Sequence, residues 1–286
     1  NPKEIARGGI VGVSIMVATQ RYEEYVRCAA DAGAGVIISG AGLPVDLPAY
    51  VEGTKAKIAP VVSSLKSFVV LCRLWERKYN RYPDFVVVEG PKAGGHLGFT
   101  LEELETCTQE AYDEVIRSIV KKAEEYGEKA GRKIPVIVAG GIFDGEDMKH
   151  ALSLGADGVQ AATRFVTTEE CDAAPEYKDA YIKAKKEDIC IVKSPVGMPG
   201  RAIRNAFIER TKTEKCRITH CYQCITTCNP AKIPYCITQA LVNAAEGKLD
   251  DALLFCGENA YRCEKMEKVE DIMKEFRAAA EQLNIL

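Results

Sequence analysis

The chain has little net charge and no long apolar run, and each absence argues against a class of partner. With 38 Lys and Arg against 41 Asp and Glu, its formal net charge is −3, which gives no electrostatic footprint for nucleic acid. Basic residues are spread among acidic ones, so the sequence shows no polybasic patch for a membrane surface. No apolar run reaches the roughly 18 residues of a membrane span, and no charged and then apolar stretch typical of a signal sequence opens the chain.

Cysteine, by contrast, is abundant, with 12 residues in a chain of 286. So many thiols would indicate disulfides in a small secreted domain, but this chain is large and shows no export signal. Reduced thiols are the better interpretation, with some of them available to bind a metal. We therefore expect a cytoplasmic protein that is long enough to bury the core of one α/β barrel.

Residues 134–166 carry the clearest fold signal. Two short apolar runs, 134–138 and 158–160, flank a helical segment at 145–154. A run that is apolar on both faces is typical of a strand buried in a parallel sheet, and strand–helix–strand is the unit that builds such sheets. Earlier strands are predicted at 9–17, 36–39, 58–63 and 85–89, with helices between them. Six strand–helix steps indicate an α/β fold, a TIM-type (β/α)8 barrel with six of its eight units recognisable.

From about Cys171 the strand–helix pattern stops. A cysteine-rich loop follows, and the clearest later elements are helices at 237–245 and 271–283. We therefore predict a barrel over residues 1–170 and a helical, cysteine-rich C-terminal extension over residues 171–286 that packs on the barrel.

Small residues follow the last two predicted strands. Gly140 and Gly141 follow the first, and Ala161, Ala162 and Thr163 follow the second. Small residues let backbone N–H groups approach an anion closely, which is how α/β barrels bind a phosphate after their last two strands. The alternative is that the glycines only form a tight turn, but two such loops after consecutive strands favour a phosphate site.

Several motifs together resemble a known family. In chain order they are SGAGLP, VVVEGPKAGGHLGF, PVIVAGGI, GADGVQAATRF and FCGENAYR. The set is similar to that of the FMN-dependent nitronate monooxygenases, formerly called 2-nitropropane dioxygenases. The flavin-dependent enoyl-acyl carrier protein reductases share most of these motifs. The resemblance runs from Gly9 to the C-terminal helix and implies a flavoprotein oxidoreductase.

The chain departs from this family in two ways. The family's barrel normally opens with two more strand–helix units, and six strands cannot close an eight-stranded barrel without exposed sheet edges. We therefore expect that an N-terminal segment precedes this sequence. The family also usually has glycine where Ala162 stands, which implies a tighter phosphate loop in this chain.

The resemblance also implies positions for FMN. The cofactor-binding residues that it implies are Ser63, Gly94, Gly95, Gly140, Gly141, Gln160, Ala162 and Thr163. Gly94 and Gly95 are implied to lie beside the isoalloxazine ring, Ser63 or Ser64 near its polar edge, and the glycine and Ala162–Thr163 loops at the phosphate. The Thr163 hydroxyl and N–H are natural donors to a phosphate oxygen.

Two polar residues in otherwise apolar strands leave alternatives open. Gln160 either points at the cofactor or belongs to a polar layer inside the barrel. Glu89, at the end of a predicted buried strand, either caps a helix or binds the ribityl chain of FMN.

His96 is the predicted catalytic residue. It lies in the glycine-rich GGHLG loop after a buried strand, where nothing nearby needs an imidazole for packing. The end of a barrel strand and the family resemblance favour function over a solvated bystander. A neutral imidazole could take the α-proton of a nitroalkane, or donate a hydrogen bond to a nitronate or a thioester carbonyl. His150, in the middle of a helix, is expected at the surface.

The stretch HCYQCITTCNPAKIPYC, which begins at His220, contains a group of closely spaced cysteines. Its candidate metal ligands are Cys221, Cys224, Cys228 and Cys236, with Cys216 nearby. Thiolates at this spacing could hold an iron–sulfur cluster or zinc. The alternatives are buried structural thiols, which are common apolar residues, and a redox-active disulfide.

Taken with the resemblance, the sequence predicts an FMN-dependent oxidoreductase that oxidises alkyl nitronates with O2 to a carbonyl compound and nitrite. An enoyl-thioester reductase that uses NAD(P)H is the first alternative. A flavin- or cluster-binding protein without turnover is the second. The expected partners are small molecules, whereas the oligomeric state is left open.

Overall fold

The computed structural model describes residues 4, 6 and 8–283, which form two compact units. The first unit comprises the described residues up to Glu89 together with residues 108–138 and 154–158. The second comprises residues 90–107 and 139–153 and the described residues from Val159 onward. The units therefore interleave along the chain. The predicted domain boundary at 170/171 stays a prediction.

Strands and helices largely alternate up to about residue 160. The strands are β1 (Gly12–Met16), β2 (Val36–Gly40), β3 (Lys57–Val62), β4 (Val86–Glu89), β5 (Gly95–His96), β6 (Val136–Ala139), β7 (Gly158–Gln160), β8 (Ile189–Lys193) and β9 (Pro199–Ile203). The α-helices are α1 (Tyr22–Asp31), α2 (Leu47–Tyr50), α3 (Leu65–Tyr79), α4 (Leu101–Thr106), α5 (Gln109–Ala130), α6 (Gly145–Ser153), α7 (Pro175–Lys183), α8 (Ala206–Thr211), α9 (Ile237–Ala245) and α10 (Val269–Gln282). Short 3₁₀ helices lie at Thr163–Thr167, Lys186–Asp188, Leu249–Asp251 and Glu258–Arg262.

The larger sheet confirms the predicted fold class. Its six strands run in the order β1-β2-β3-β4-β6-β7, so that strands from successive strand–helix steps are neighbours. The pairing is parallel, with Ser14 opposite Ile38 and Ile37 opposite Ile58. Helices connect the parallel strands, as a TIM-type α/β fold requires. All six predicted strand positions are confirmed to within a few residues at their ends.

Burial explains why the first unit folds around its strands. Val86, Val87 and Val88 of β4 are all fully buried, as expected for a parallel strand that is covered on both faces. Trp75 of α3 is buried in the adjoining apolar cluster, and its indole N–H donates to the Pro44 carbonyl at 3.0 Å. The one polar atom of this large side chain is thereby satisfied.

The second unit contains a sheet that the sequence does not predict. Strands β5, β9 and β8 form a three-stranded antiparallel sheet, whereas the sequence predicts only loops and helices after Cys171. Proline and glycine are rare inside strands, and β9 begins with Pro199 and Gly200, which hides it from a pattern search. The predicted helices are confirmed as α9 and α10. No helix formed by residues 4–283, as far as they are described, is long and apolar enough to cross a bilayer.

We predict that Glu89 makes the stability of the protein depend on pH. Burial raises the pKa of this carboxyl from its ordinary 4.5 to about 7. Between these two values the unfolded chain releases the proton while the folded chain keeps it, so stability falls as the pH rises. Glu89→Gln should therefore gain up to about 3 kcal/mol on the parent protein between pH 5 and pH 8.

Urea unfolding at both pH values measures this effect, with Glu52→Gln as the control because Glu52 is exposed. An equal difference between Glu89→Gln and parent at the two pH values would contradict the prediction.

Candidate functional site

The loop after β6 shows why two glycines are required there. Gly140 and Gly141 have φ angles of 87° and 91°, a region that side-chain-bearing residues rarely adopt. A Cβ at Gly140 would lie 3.0 Å from the Cβ of Ala93, and one at Gly141 would lie 3.0 Å from the Cβ of Lys92. The glycines therefore serve both the turn and close packing against the 91–94 loop. Their two N–H groups donate to none of the residues that the structure describes.

The segment 256–259 joins this loop to the one after β7. The Gly257 N–H donates to the Thr163 hydroxyl oxygen at 3.0 Å. The Asn259 side chain donates to the Gly141 carbonyl at 2.7 Å, and the Glu258 N–H donates to the Lys92 carbonyl at 3.1 Å. One short segment thus ties together three loops that are far apart in sequence. Its FCGENAYR motif belongs to the set that resembles the family, but the sequence assigns no site residue to it.

Two more glycines permit backbone-to-backbone contact in the same place. A Cβ at Gly94 would lie 2.5 Å from the carbonyl carbon of Cys256 and 2.6 Å from the Gly257 nitrogen. A Cβ at Gly257 would lie 2.6 Å from the Thr163 hydroxyl. The structural reason for glycine at position 94 is therefore the approach of residues 256–257.

Arg201 of β9 holds the 91–94 loop from the other side. Arg201 is only 6% exposed, and its guanidinium donates to the carbonyls of Pro91 at 2.7 Å and Ala93 at 2.5 Å. It also pairs with Glu258 at 3.5 Å. Burial lowers the pKa of Arg201, and the neighbouring Glu258 carboxylate opposes that shift. Sequence reasoning misses this residue because a single arginine in a short strand carries no local signal.

His96 is fixed by contacts within the second unit. In β5 it lies opposite Gly200 of β9. Its Nε2 lies 2.7 Å from the hydroxyl of Ser194, which is 2% exposed, and its ring meets the Phe255 ring edge to face at 5.0 Å between centroids. Gly200 is needed at this position, because a Cβ would lie 2.8 Å from the Phe255 ring. Burial lowers the pKa of His96, so the neutral imidazole is the dominant form at neutral pH.

Ser194 determines which nitrogen of His96 is available. The Ser194 oxygen accepts the Val196 N–H at 3.2 Å and meets Nε2 on its other side. Nδ1 has no hydrogen-bond partner among the described residues. If Nε2 carries the proton, Nδ1 is a base; if the serine donates to Nε2, Nδ1–H is a donor. In either tautomer Nδ1 is the nitrogen left for a substrate.

The comparison with protein families agrees with the motifs that surround these loops. A family model described as nitronate monooxygenase matches residues 2–278. The chain belongs to the nitronate monooxygenase family. The matched residues include both the glycine loops and His96.

Individual relatives are more distant. A probable nitronate monooxygenase of Staphylococcus aureus (strain Newman) is 36% identical over 126 residues, which are 44% of this chain and 33% of that protein. The match thus spans about a third of the length of the curated relative. FabK from Thermotoga maritima is 28% identical, with a TM-score of 0.71 over 96% of this chain and 78% of its own. Nitroalkane oxidase from Streptomyces ansochromogenes has a TM-score of 0.65 over 92% of this chain and 70% of its own, and its 19% identity shows the shared fold alone.

The remaining candidate flavin residues differ in their surroundings. Ser63 follows β3 in the first unit, and its neighbour Ser64 caps α3 by accepting the Ser67 N–H at 3.2 Å. Gln160 is exposed, so it does not form a buried polar layer. Ala162 has a φ of −137°, which any residue adopts, so this position does not need the family's usual glycine.

The cysteines of the C-terminal loop do not assemble a metal site. Among the described residues, no group of three or more His, Cys, Asp or Glu side chains is placed to hold a metal ion, and this covers the predicted ligands Cys221, Cys224, Cys228 and Cys236. Cys224 and Cys228 pack instead against an apolar cluster around Tyr235. Burial, and then the neighbouring cysteines, raise the pKa of Cys228. This arrangement favours the structural-thiol alternative. His220 is exposed against Tyr222, and His150 is exposed as expected.

Gly94→Ala should disrupt the contact between the 91–94 loop and residues 256–257. The new methyl group meets backbone atoms that cannot rotate away, and overpacking of this kind costs about 1–3 kcal/mol. Urea unfolding measures the loss. Gly12→Ala is the matched control, because a Cβ there meets Val36 at an ordinary 3.5 Å. Equal stability of the two variants would show that the loops have room to separate.

Proposed function

We propose that this member of the family binds FMN, with its phosphate at the loops after β6 and β7. The support is a set of four backbone N–H groups, from Gly140, Gly141, Ala162 and Thr163, that donate to no described residue. Backbone N–H groups that have no acceptor within the protein suit an anion. The Thr163 oxygen already accepts the Gly257 N–H, so its own hydrogen is left for a phosphate oxygen.

The other flavin contacts are proposed from the family resemblance. Gly94 and Gly95 would lie beside the ring, Ser63 near its polar edge, and the exposed Gln160 would face the cofactor. The half-buried Glu89 carboxyl caps no helix among the described residues, which leaves the ribityl hydroxyls as its proposed partner. Bound FMN would supply the redox chemistry that no amino-acid side chain of the site can provide.

The proposed reaction is the oxidation of an alkyl nitronate with O2 to a carbonyl compound and nitrite. The support for this proposal is the family membership of the chain and the lowered pKa of His96, which favours its neutral form. A neutral His96 with Nδ1 free can take the α-proton of a nitroalkane, while Ser194 stabilises the resulting imidazolium at Nε2. With a preformed nitronate, the same nitrogen donates a hydrogen bond to the anion. Small molecules are the proposed partners, and the cytoplasm is the proposed compartment.

Reduction of an enoyl thioester with NAD(P)H is the second candidate. His96 Nδ1–H would then donate to the thioester carbonyl, which the tautomer with Ser194 as donor to Nε2 allows. The flavin-dependent enoyl reductases share the motifs around His96. A flavin-binding protein without turnover is the third candidate.

Product identity separates these candidates. Full-length protein saturated with FMN is mixed with propionate-3-nitronate and O2, and separately with an enoyl thioester and NADH. Nitrite from the first mixture supports the proposed reaction, and a saturated thioester from the second supports the alternative. If neither mixture gave a product, the third candidate, a flavin-binding protein without turnover, would be favoured.

FMN should be released from the full-length protein by heat and identified by mass spectrometry. Thr163→Ala should weaken FMN binding by about tenfold, because one hydrogen bond to a charged group is lost. Thr163→Ser keeps the hydroxyl and should bind as the parent does. Flavin fluorescence during titration measures both affinities. A protein indifferent to FMN would overturn the proposed function.

His96→Ala should lower turnover by about 10²–10⁴-fold without loss of the flavin, since this is the usual contribution of a general base. The loss should be larger for a neutral nitroalkane than for its preformed nitronate, which needs no proton abstraction. The parent's kcat/KM for the nitroalkane should fall only below about pH 6.5, because burial lowers the pKa of His96. Unchanged rates on both substrates would make His96 a bystander.

A further inference from the structure

A cavity lies within the second unit, and it is lined in part by Ser194, whose hydroxyl contacts His96. Its volume is about 540 Å³. The β8 strand and the following turn form one wall, α8 and the following Lys212 form another, and residues 232–235 close it. A volume of this size accommodates a small organic molecule. Neither the glycine loops nor the segment 256–259 lines it.

All the charged side chains among the described residues that line this cavity are positively charged. Lys193, Lys212 and Lys232 line it, and no aspartate or glutamate is among the described residues that do. Lys212 is neutralised by Glu209 at 2.7 Å. Lys193 and Lys232 are exposed and form no ion pair with any residue that the structure describes. Two ammonium groups are therefore left to attract an anion.

The walls between the lysines are apolar. Ile191 of β8 is 37% exposed, although its side chain is a large aliphatic one. Ile208, Ile233 and Pro234 continue this surface. The only phenol is that of Tyr235 among the described lining residues, and burial raises its pKa to about 12, so it adds no negative charge at neutral pH. A ligand that covers Ile191 would remove apolar surface from water.

We propose that this cavity binds an organic anion with an aliphatic chain, the anionic head at Lys193 and Lys232 and the chain along Ile191 and Ile233. The head is a carboxylate or a phosphate, since a lysine ammonium binds either as a point charge. The site is distinct from the proposed flavin site and does not depend on the proposed reaction. Ser194 lines the cavity and also contacts His96.

Calorimetric titration of the full-length, FMN-saturated protein tests this inference. The probes are octanoate, octyl phosphate, 1-octanol and inorganic phosphate. Octanoate, octyl phosphate or both should bind, whereas 1-octanol lacks the charge and inorganic phosphate lacks the chain, so each should bind at least about tenfold more weakly. The tighter of the two octyl anions identifies the preferred head group. Binding is read without turnover, so its outcome is separate from that of the nitronate assay.

Variants then locate the binding site. Lys193→Gln combined with Lys232→Gln should weaken binding of the octyl anions by about tenfold, and raised salt should weaken it in the parent but less in this variant. Ile191→Glu, at an exposed strand position, should weaken binding in the same way. Lys55→Gln, an exposed lysine of the first unit, is the matched control and should change nothing. Equal affinity for octanol and octanoate, or binding that ignores Lys193, Lys232 and Ile191, would overturn the proposal, as would no binding of any probe.

Discussion

The contact between segment 256–259 and the three loops that follow β4, β6 and β7 is the constraint on which the candidate site depends. Gly257 reaches Thr163, Asn259 reaches Gly141, and Glu258 reaches the Lys92 carbonyl. Each of these hydrogen bonds uses at least one backbone group, and the backbones approach so closely that a Cβ at Gly94 or Gly257 would lie less than 3 Å from a neighbouring atom. The glycines of the family motifs are therefore explained by packing between loops as much as by the anion that the loops are proposed to hold.

Strand β9 links this assembly to the histidine. Gly200 leaves space for the Phe255 ring beside His96, and the next residue, Arg201, holds the carbonyls of the 91–94 loop. A shift of β9 along its neighbours would therefore displace the loop and the imidazole together. A buried guanidinium satisfied by carbonyl oxygens is also costly to disturb, because its charge would be left unpaired. Strand β9 therefore fixes the position of the 91–94 loop and the position of His96 together.

Local patterns predicted the parallel strands well and the site only in part. β4 and β6 are apolar for nearly their whole length, so their burial can be inferred from a few adjacent residues. The pairing of β9 with β5 cannot be inferred from neighbouring residues, because Pro199 and Gly200 give no strand signal and β5 has only two residues. The hydrogen bonds of Arg201 join residues 108 and 110 positions apart, which no local pattern encodes. The spacing of the cysteines does not by itself identify a metal site, since thiols at ligand spacing also serve as small apolar side chains, as Cys224 and Cys228 do here.

The separation in sequence of these contacts has a consequence for the order of events during synthesis. Gly257 is 94 residues from Thr163, and Asn259 is 118 residues from Gly141. A ribosome releases the strands of the larger sheet well before it releases residues 256–259, and domains generally begin to fold as the chain emerges. The nascent protein should therefore pass through a stage in which the strands of the larger sheet are paired but the loops after β6 and β7 lack their hydrogen bonds to residues 257 and 259. The loops after β6 and β7 can reach their final contacts only after residues 257 and 259 have left the ribosome.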